Sequence, residues 1–189
     1  MCAGAEDECR KDTQYPTVSV KIHSRREGGR YHGPVSTPDS PPPDFTAADH
    51  RRLAVRCNNT TWDMIEADRT PANDEEMLRR AYAAAYHWQH AEGRGPVNEV
   101  RALWLLAKVH LVAGLADRAL HYADACLVLC ADHGVVDFDL AYARAARAGA
   151  LALLGLPDEA AAEWAAAKAV PIADAEDRAQ VESDLAVGP

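Results

Sequence analysis

The sequence predicts an all-α protein made of antiparallel helix pairs, and three observations carry that reading. Apolar residues make up 48% of the chain but aromatics only 6%, with alanine supplying much of the difference. Alanine has the highest helix propensity and permits close helix packing, whereas a sheet would be built from Val, Ile and aromatic residues. Helix-start signals recur from residue 45 onward, and helix-stop glycines recur at matching intervals.

The first start is the capping box Thr46-Ala-Ala-Asp49, with Phe45 in the staple position ahead of it. A second box, Thr60-Thr-Trp-Asp63, predicts a separate short helix to about Asp68. Thr70-Pro71 supplies a cap and a first-turn proline for a third helix, whose opening acids Asp74, Glu75 and Glu76 suit the helix dipole. It carries Met77, Leu78, Ala81, Tyr82, Ala85 and Trp88 at helical spacing and stops by Gly93. A fourth helix follows Gly95-Pro96 and stops at Gly114; a fifth runs from about Ala116 to His133 and stops at Gly134. Asp137 or Asp139 is expected to cap a sixth, ending at Gly155. Pro157 opens a seventh, and Asp174-Ala-Glu-Asp177 opens an eighth, to about Val187. The short loops between them imply antiparallel neighbours.

Residues 1–44 contain six of the eleven prolines and four of the eleven glycines and show no periodicity. They read as a disordered tail, or as sequence ahead of the true start, with the helical domain spanning 45–189. The net charge of −9 argues against a nucleic-acid partner, since affinity for phosphates comes from clustered Lys and Arg. The acidic N-terminus does not resemble a signal peptide, and no run approaches the ~20 apolar residues of a membrane helix. Cys2, Cys9, Cys57, Cys126 and Cys130 follow no disulfide or zinc-finger spacing, so the expected compartment is the cytoplasm.

Gly114-Leu-Ala-Asp-Arg-Ala-Leu and Gly155-Leu-Pro-Asp-Glu-Ala-Ala share one punctuation: a helix ends at glycine and an alanine-rich helix follows. This resembles the tetratricopeptide family, although the glycines lie 41 residues apart, against ~34 in regular repeats. Aligned on Gly114, the family's signature positions fall on Leu103, Leu106, Ala107 and His110; aligned on Gly155, they fall on Arg144, Arg147, Ala148 and Leu151. The two arginines depart from the pattern, because those positions should pack. The resemblance implies helix pairs stacked in a right-handed array, with a concave groove that holds peptides. Tyr86-His87-Trp88 and Asp137-Phe138-Asp139-Leu140 are also similar to strings in uncharacterised bacterial helical proteins.

Carried over from the family, the groove positions are Arg101, Trp104, Lys108, Leu111 and Val112, then Tyr142, Ala145, Gly149, Ala152 and Leu153. Arg101 and Lys108 beside an indole would suit an acidic peptide or a C-terminal carboxylate. The plainer reading puts Trp104 in the core and both cations on the wet side of an amphipathic helix. The resulting expectation is a non-enzymatic module that binds a protein or peptide, without cofactor or metal.

The alternative is an interior pocket for a metal or small molecule, lined by Trp62, Glu76, Tyr82, His87, Trp88, His110 and His121. Histidine and glutamate on facing helices can build such a site, but the Glu-x-x-His motif of di-iron bundles is absent. Cys126, Cys130 and His133 share one helical face and could ligate a soft metal; burial of the cysteines in a core is the simpler account. Cys57, ahead of the capped start at Thr60 and beside Arg56, has the sequence context of a reactive thiol. No phosphate-binding Gly loop, nucleophile elbow, His-Glu-x-x-His or Cys-x-x-Cys appears, which leaves common enzyme classes without a signature. Self-association through Trp164 and the last helix is a third expectation.

Overall fold

The computed structural model describes residues 45–188; the tail expected over residues 1–44 lies outside the described residues. Seven helices follow in order: α1 Ala47–Ile65, α2 Pro71–His90, α3 Pro96–Val112, α4 Ala116–His133, α5 Asp137–Leu153, α6 Pro157–Lys168 and α7 Ala175–Asp184. No strand occurs among the described residues. The fold is all-α, with consecutive helices packed against each other as the pairs α1/α2, α3/α4 and α5/α6. The odd-numbered helices also touch in sequence, α1 to α3, α3 to α5 and α5 to α7. No helix of the described residues is long and apolar enough to cross a membrane.

The helix starts obey local chemistry. Thr46 Oγ1 accepts from the Asp49 N–H at 3.1 Å, and Asp49 Oδ2 accepts from the Thr46 N–H at 3.0 Å, closing the capping box. The staple partner of Phe45 is His50, with ring centroids 5.8 Å apart. Thr70 caps α2 through the Asn73 N–H, and Asp174 caps α7 through the Glu176 and Asp177 N–H groups.

The separate helix expected from Thr60 does not form, because α1 runs unbroken through it. Its threonines bond backward: Thr60 Oγ1 donates to the Arg56 carbonyl at 3.0 Å, and Thr61 Oγ1 to the Cys57 carbonyl at 2.7 Å. A hydroxyl satisfied on the preceding turn does not act as a cap, so the same letters read as helix interior. Cys57 is therefore mid-helix, and the helix N-terminus that was to activate its thiol is absent. Asp137 and Asp139 differ from expectation too. Val136 is the N-cap of α5, Asp137 sits at φ +65°, and its carboxylate accepts from the N–H groups of Phe138 and Ala173.

The stops of α3, α4 and α5 share one device. Leu115 N–H donates to the His110 carbonyl, Val135 N–H to that of Cys130, and Leu156 N–H to that of Leu151. Each bond spans a glycine, and Gly114 and Gly155 have φ of +72° and +74°. An added Cβ would meet nothing within 4 Å at either, so glycine is required by backbone conformation rather than by space.

The core is fine-grained. Met77, Ala81 and Ala84 of α2 pack on Leu105, Leu106 and Val109 of α3. Val100, Cys126, Cys130 and Ala143 join α3, α4 and α5, and Ala141, Ala167, Ile172, Val181 and Leu185 hold α7 to the last hairpin. Alanines let the axes come close, and Gly149 takes this furthest: a Cβ there would lie 3.3 Å from Leu111 Cδ2. The two arginines that break the repeat pattern are accommodated by charge. Glu163 of α6 receives Arg144 at 2.8 Å and Arg147 at 3.0 Å, and Arg147 also reaches Asp124 of α4 at 2.7 Å.

Candidate functional site

A groove of about 910 Å³ runs along the odd-numbered helices. Its floor is a run of aromatic rings. Trp62 from the end of α1 lies 5.2 Å from Trp104 of α3, and Trp104 stacks on Tyr142 of α5, also at 5.2 Å, with planes 29° apart. Trp164 of α6 adds a third indole to the wall. Small residues of α5, Ala145, Gly149 and Ala152, leave the space that the rings border. The Tyr142 hydroxyl donates to Asp184 Oδ2 at 2.7 Å, tying the floor to the end of α7. Burial and this acceptor push the Tyr142 phenol well above its ordinary range, so it stays a donor.

The groove gathers Trp104, Lys108, Leu111, Val112, Tyr142, Ala145, Gly149, Ala152 and Leu153. Arg101 stands outside its lining. The guanidinium is held by Asp139 and lies over the Phe138 ring at 5.1 Å. The charged lining is thus Lys108 with Glu66 and Asp184, and Arg101, paired with Asp139, is not part of it. What the groove offers is aromatic and apolar surface with one cation at its edge. Trp62, Trp164 and Asp184 were not foreseen here, because each comes from an element distant in sequence.

The residues of the alternative pocket do not converge. Trp62 belongs to the groove. Glu76 pairs with Arg80 at 2.9 Å, and His121 is exposed, edge-on to Tyr122. His87 packs against His50 at the open end of the first hairpin, where Nδ1 of each ring faces the other at 2.9 Å. Tyr82 and Trp88 line a second cleft of about 680 Å³ between α2, α3 and α4, together with Tyr122, Arg94 and Glu99. His110 is buried behind it.

His110 belongs to a directed hydrogen-bond chain. Its Nδ1 lies 2.7 Å from the Leu106 carbonyl, which can only accept, so Nδ1 carries the hydrogen. Nε2 then accepts from the Tyr82 hydroxyl at 3.3 Å, and Tyr82 accepts from the Tyr122 hydroxyl at 3.1 Å. Burial pulls the His110 pKa below its usual value, which keeps the ring neutral in this role. Burial and the bond to Tyr82 push the Tyr122 phenol up to about 12. The donors of the chain are ordered from Tyr122 to Tyr82 to His110, which leaves the Tyr122 oxygen, in the cleft lining, as an acceptor.

Cys126 and Cys130 are buried, and the Cys126 thiol donates to the Val100 carbonyl. Burial raises both thiol pKa values, which opposes thiolate ligation, and His133 is exposed. Among the described residues no three His, Cys, Asp or Glu side chains surround a common point at metal distance. No protein-family profile, curated protein or solved structure matches the chain.

Proposed function

We propose that this chain is a non-enzymatic binding module, tetratricopeptide-like in arrangement, whose groove takes a peptide segment of a partner protein. The observation that supports it is the row Trp62, Trp104 and Tyr142 beside the small residues of α5, a surface shaped for apolar anchor side chains. Buried aromatic contact of this kind supplies most of the energy in peptide recognition, and polar edge groups set register. Lys108 is the edge cation, suited to a carboxylate or backbone carbonyl of the peptide. The expected ligand is an amphipathic segment with aromatic or aliphatic anchors, not a strongly acidic one, because Glu66 and Asp184 also line the groove.

Panning a displayed peptide library on the full chain tests this. Enrichment of sequences with two or more spaced apolar anchors, whose binding is lost in Ala152→Arg and weakened in Lys108→Glu, is the expected result. No enrichment, or binding indifferent to both substitutions in folded protein, rejects the groove.

The second cleft supports a narrower second reading as a small-molecule site. Tyr82, Trp88 and Tyr122 provide flat walls, and the Tyr122 oxygen provides an acceptor at the end of the chain to His110. A ligand screen by saturation-transfer NMR, repeated on Tyr122→Phe, distinguishes the two: only ligands of the cleft lose affinity when the hydroxyl is removed.

A further inference from the structure

The open end of the first hairpin gathers three imidazoles that neither recess uses. His50 lies in the first turn of α1, and His87 and His90 lie in the last turn of α2. The His50 ring centroid is 5.0 Å from that of His87 and 5.1 Å from that of His90. Phe45 stands edge-on to His50 and His87, and Tyr86 flanks all three rings. This aromatic shell fixes the imidazoles laterally while His50 and His87 remain half-buried, within reach of solutes.

The facing Nδ1 atoms of His50 and His87 are 2.9 Å apart. Between two neutral rings one Nδ1 carries a hydrogen and the other presents its lone pair. The same separation is that of two nitrogens bound about 2.1 Å from one cation at about a right angle, widening to about 3.4 Å at the tetrahedral angle. We propose that His50 and His87 form a clamp for a borderline divalent transition-metal ion, Zn²⁺ or Ni²⁺, with His90 the next ligand to hand and water filling the remaining positions. From two neutral rings, binding needs no net loss of a proton. The hydrogen between the rings shifts from Nδ1 to Nε2 of the same imidazole, and both Nδ1 lone pairs turn to the metal.

The chemistry of the surroundings selects the ion. Imidazole suits Zn²⁺, Ni²⁺ and Cu²⁺, whereas Mg²⁺ and Ca²⁺ require oxygen ligands. The adjacent carboxylate, Asp49, is committed to Thr46 and Arg52, and the Glu92 carbonyl accepts from Arg51. Arg51, whose guanidinium lies 5.9 Å from the Trp88 ring centroid, adds a positive charge that moderates affinity. With two ligands in place and a third imidazole to recruit, the site is open and exchangeable. An ion there links the start of α1 to the end of α2 and raises the stability of the folded chain by mass action.

Isothermal titration of Ni²⁺ and Zn²⁺ into the full chain at pH 7.5 tests this, compared with His50→Ala/His87→Ala and with His121→Ala. One ion per chain is expected. Outer-shell changes alone cost about 10- to 100-fold in metal affinity, so loss of two ligands should weaken binding at least about tenfold. His121→Ala should bind as the wild type does. Absence of binding to the wild type overturns the proposal. So does binding undiminished in the double variant, which would place the ion elsewhere, for example on His23, His32, Cys2 or Cys9. Should the double variant fail to fold by circular dichroism, side-chain ¹⁵N spectra of the wild type decide. Zn²⁺ must shift the Nδ1 signals of His50 and His87 together, and shifts at other histidines alone reject the clamp.

Discussion

The guanidinium of Arg101 closes on the carboxylate of Asp139 through two hydrogen bonds, Nε to Oδ1 at 2.8 Å and Nη2 to Oδ2 at 3.1 Å. Arg101 is about half exposed, at 49% of its side chain, but Asp139 is only 11% exposed, so the pair links α3 to α5 at the edge of the packed interior. Arg101→Ala should therefore lower stability by about 1 kcal/mol, a value discounted for solvent screening, with peptide affinity of the groove little changed. Lys108→Glu should do the reverse: a stability change within about 0.5 kcal/mol and a measurable loss of binding. Urea denaturation and titration of a groove peptide, run on both variants, separate the two roles.

Glu163 is the shared partner of Arg144 and Arg147, and only 13% of its side chain is exposed. Removing it leaves two guanidinium groups in a half-buried site with one remaining acceptor, Asp124. Glu163→Ala is expected to cost about 2 kcal/mol, below the 3–5 typical of fully buried pairs. Replacing all three residues together, as Arg144→Met, Arg147→Leu and Glu163→Met, should recover most of that loss. A triple variant no more stable than Glu163→Ala would show that the network does more than neutralise charge.

The turn at Gly155 depends on a left-handed backbone, at φ +74°. Gly155→Ala should destabilise by about 1 kcal/mol and Gly155→Asn by less, since asparagine tolerates this region. Equal effects in thermal unfolding would point to a steric cause instead, against the empty space around the position.

His87 and His110 both have pKa values pulled below 6.5, chiefly by burial, with His50 and His90 adding charge repulsion at His87. The unfolded chain then takes up protons at higher pH than the folded one. Stability should be flat above about pH 7 and fall as pH drops below 6.5 toward the lowered folded values. Urea midpoints between pH 8 and 5 check the direction. His110→Gln should reduce the slope, and a midpoint that rises on acidification contradicts the assignment.

Most of the architecture was legible because its determinants are local. Thr46, Thr70 and Asp174 cap helices through N–H groups two or three residues away, and the Gly114 and Gly155 turns use bonds within six residues. The break expected at Thr60 failed for an instructive reason: a threonine three residues before an acid marks a start only if its hydroxyl is not already bonded to the turn behind it. The groove positions implied by the tetratricopeptide resemblance included Trp104, Lys108, Leu111 and Tyr142, and all four line the groove. What could not be read locally were partners far along the chain: Asp139, 38 residues from Arg101, and His50, 37 residues from His87. Asp139 supplies the ion-pair partner of Arg101, and His50 the other half of a histidine pair.

Three of the four tryptophans in the chain, Trp62, Trp104 and Trp164, line the groove, and the fourth, Trp88, lines the second cleft. The near-ultraviolet emission of the folded protein is therefore a report on its two recesses, with no residue in the bulk of the core contributing indole signal. The close spacing of the Trp62–Trp104–Tyr142 row also permits energy transfer between neighbouring rings, so an occupant that parts them changes both intensity and polarisation. The molecule carries its own optical probe, and a ligand that enters either recess can be detected without a label.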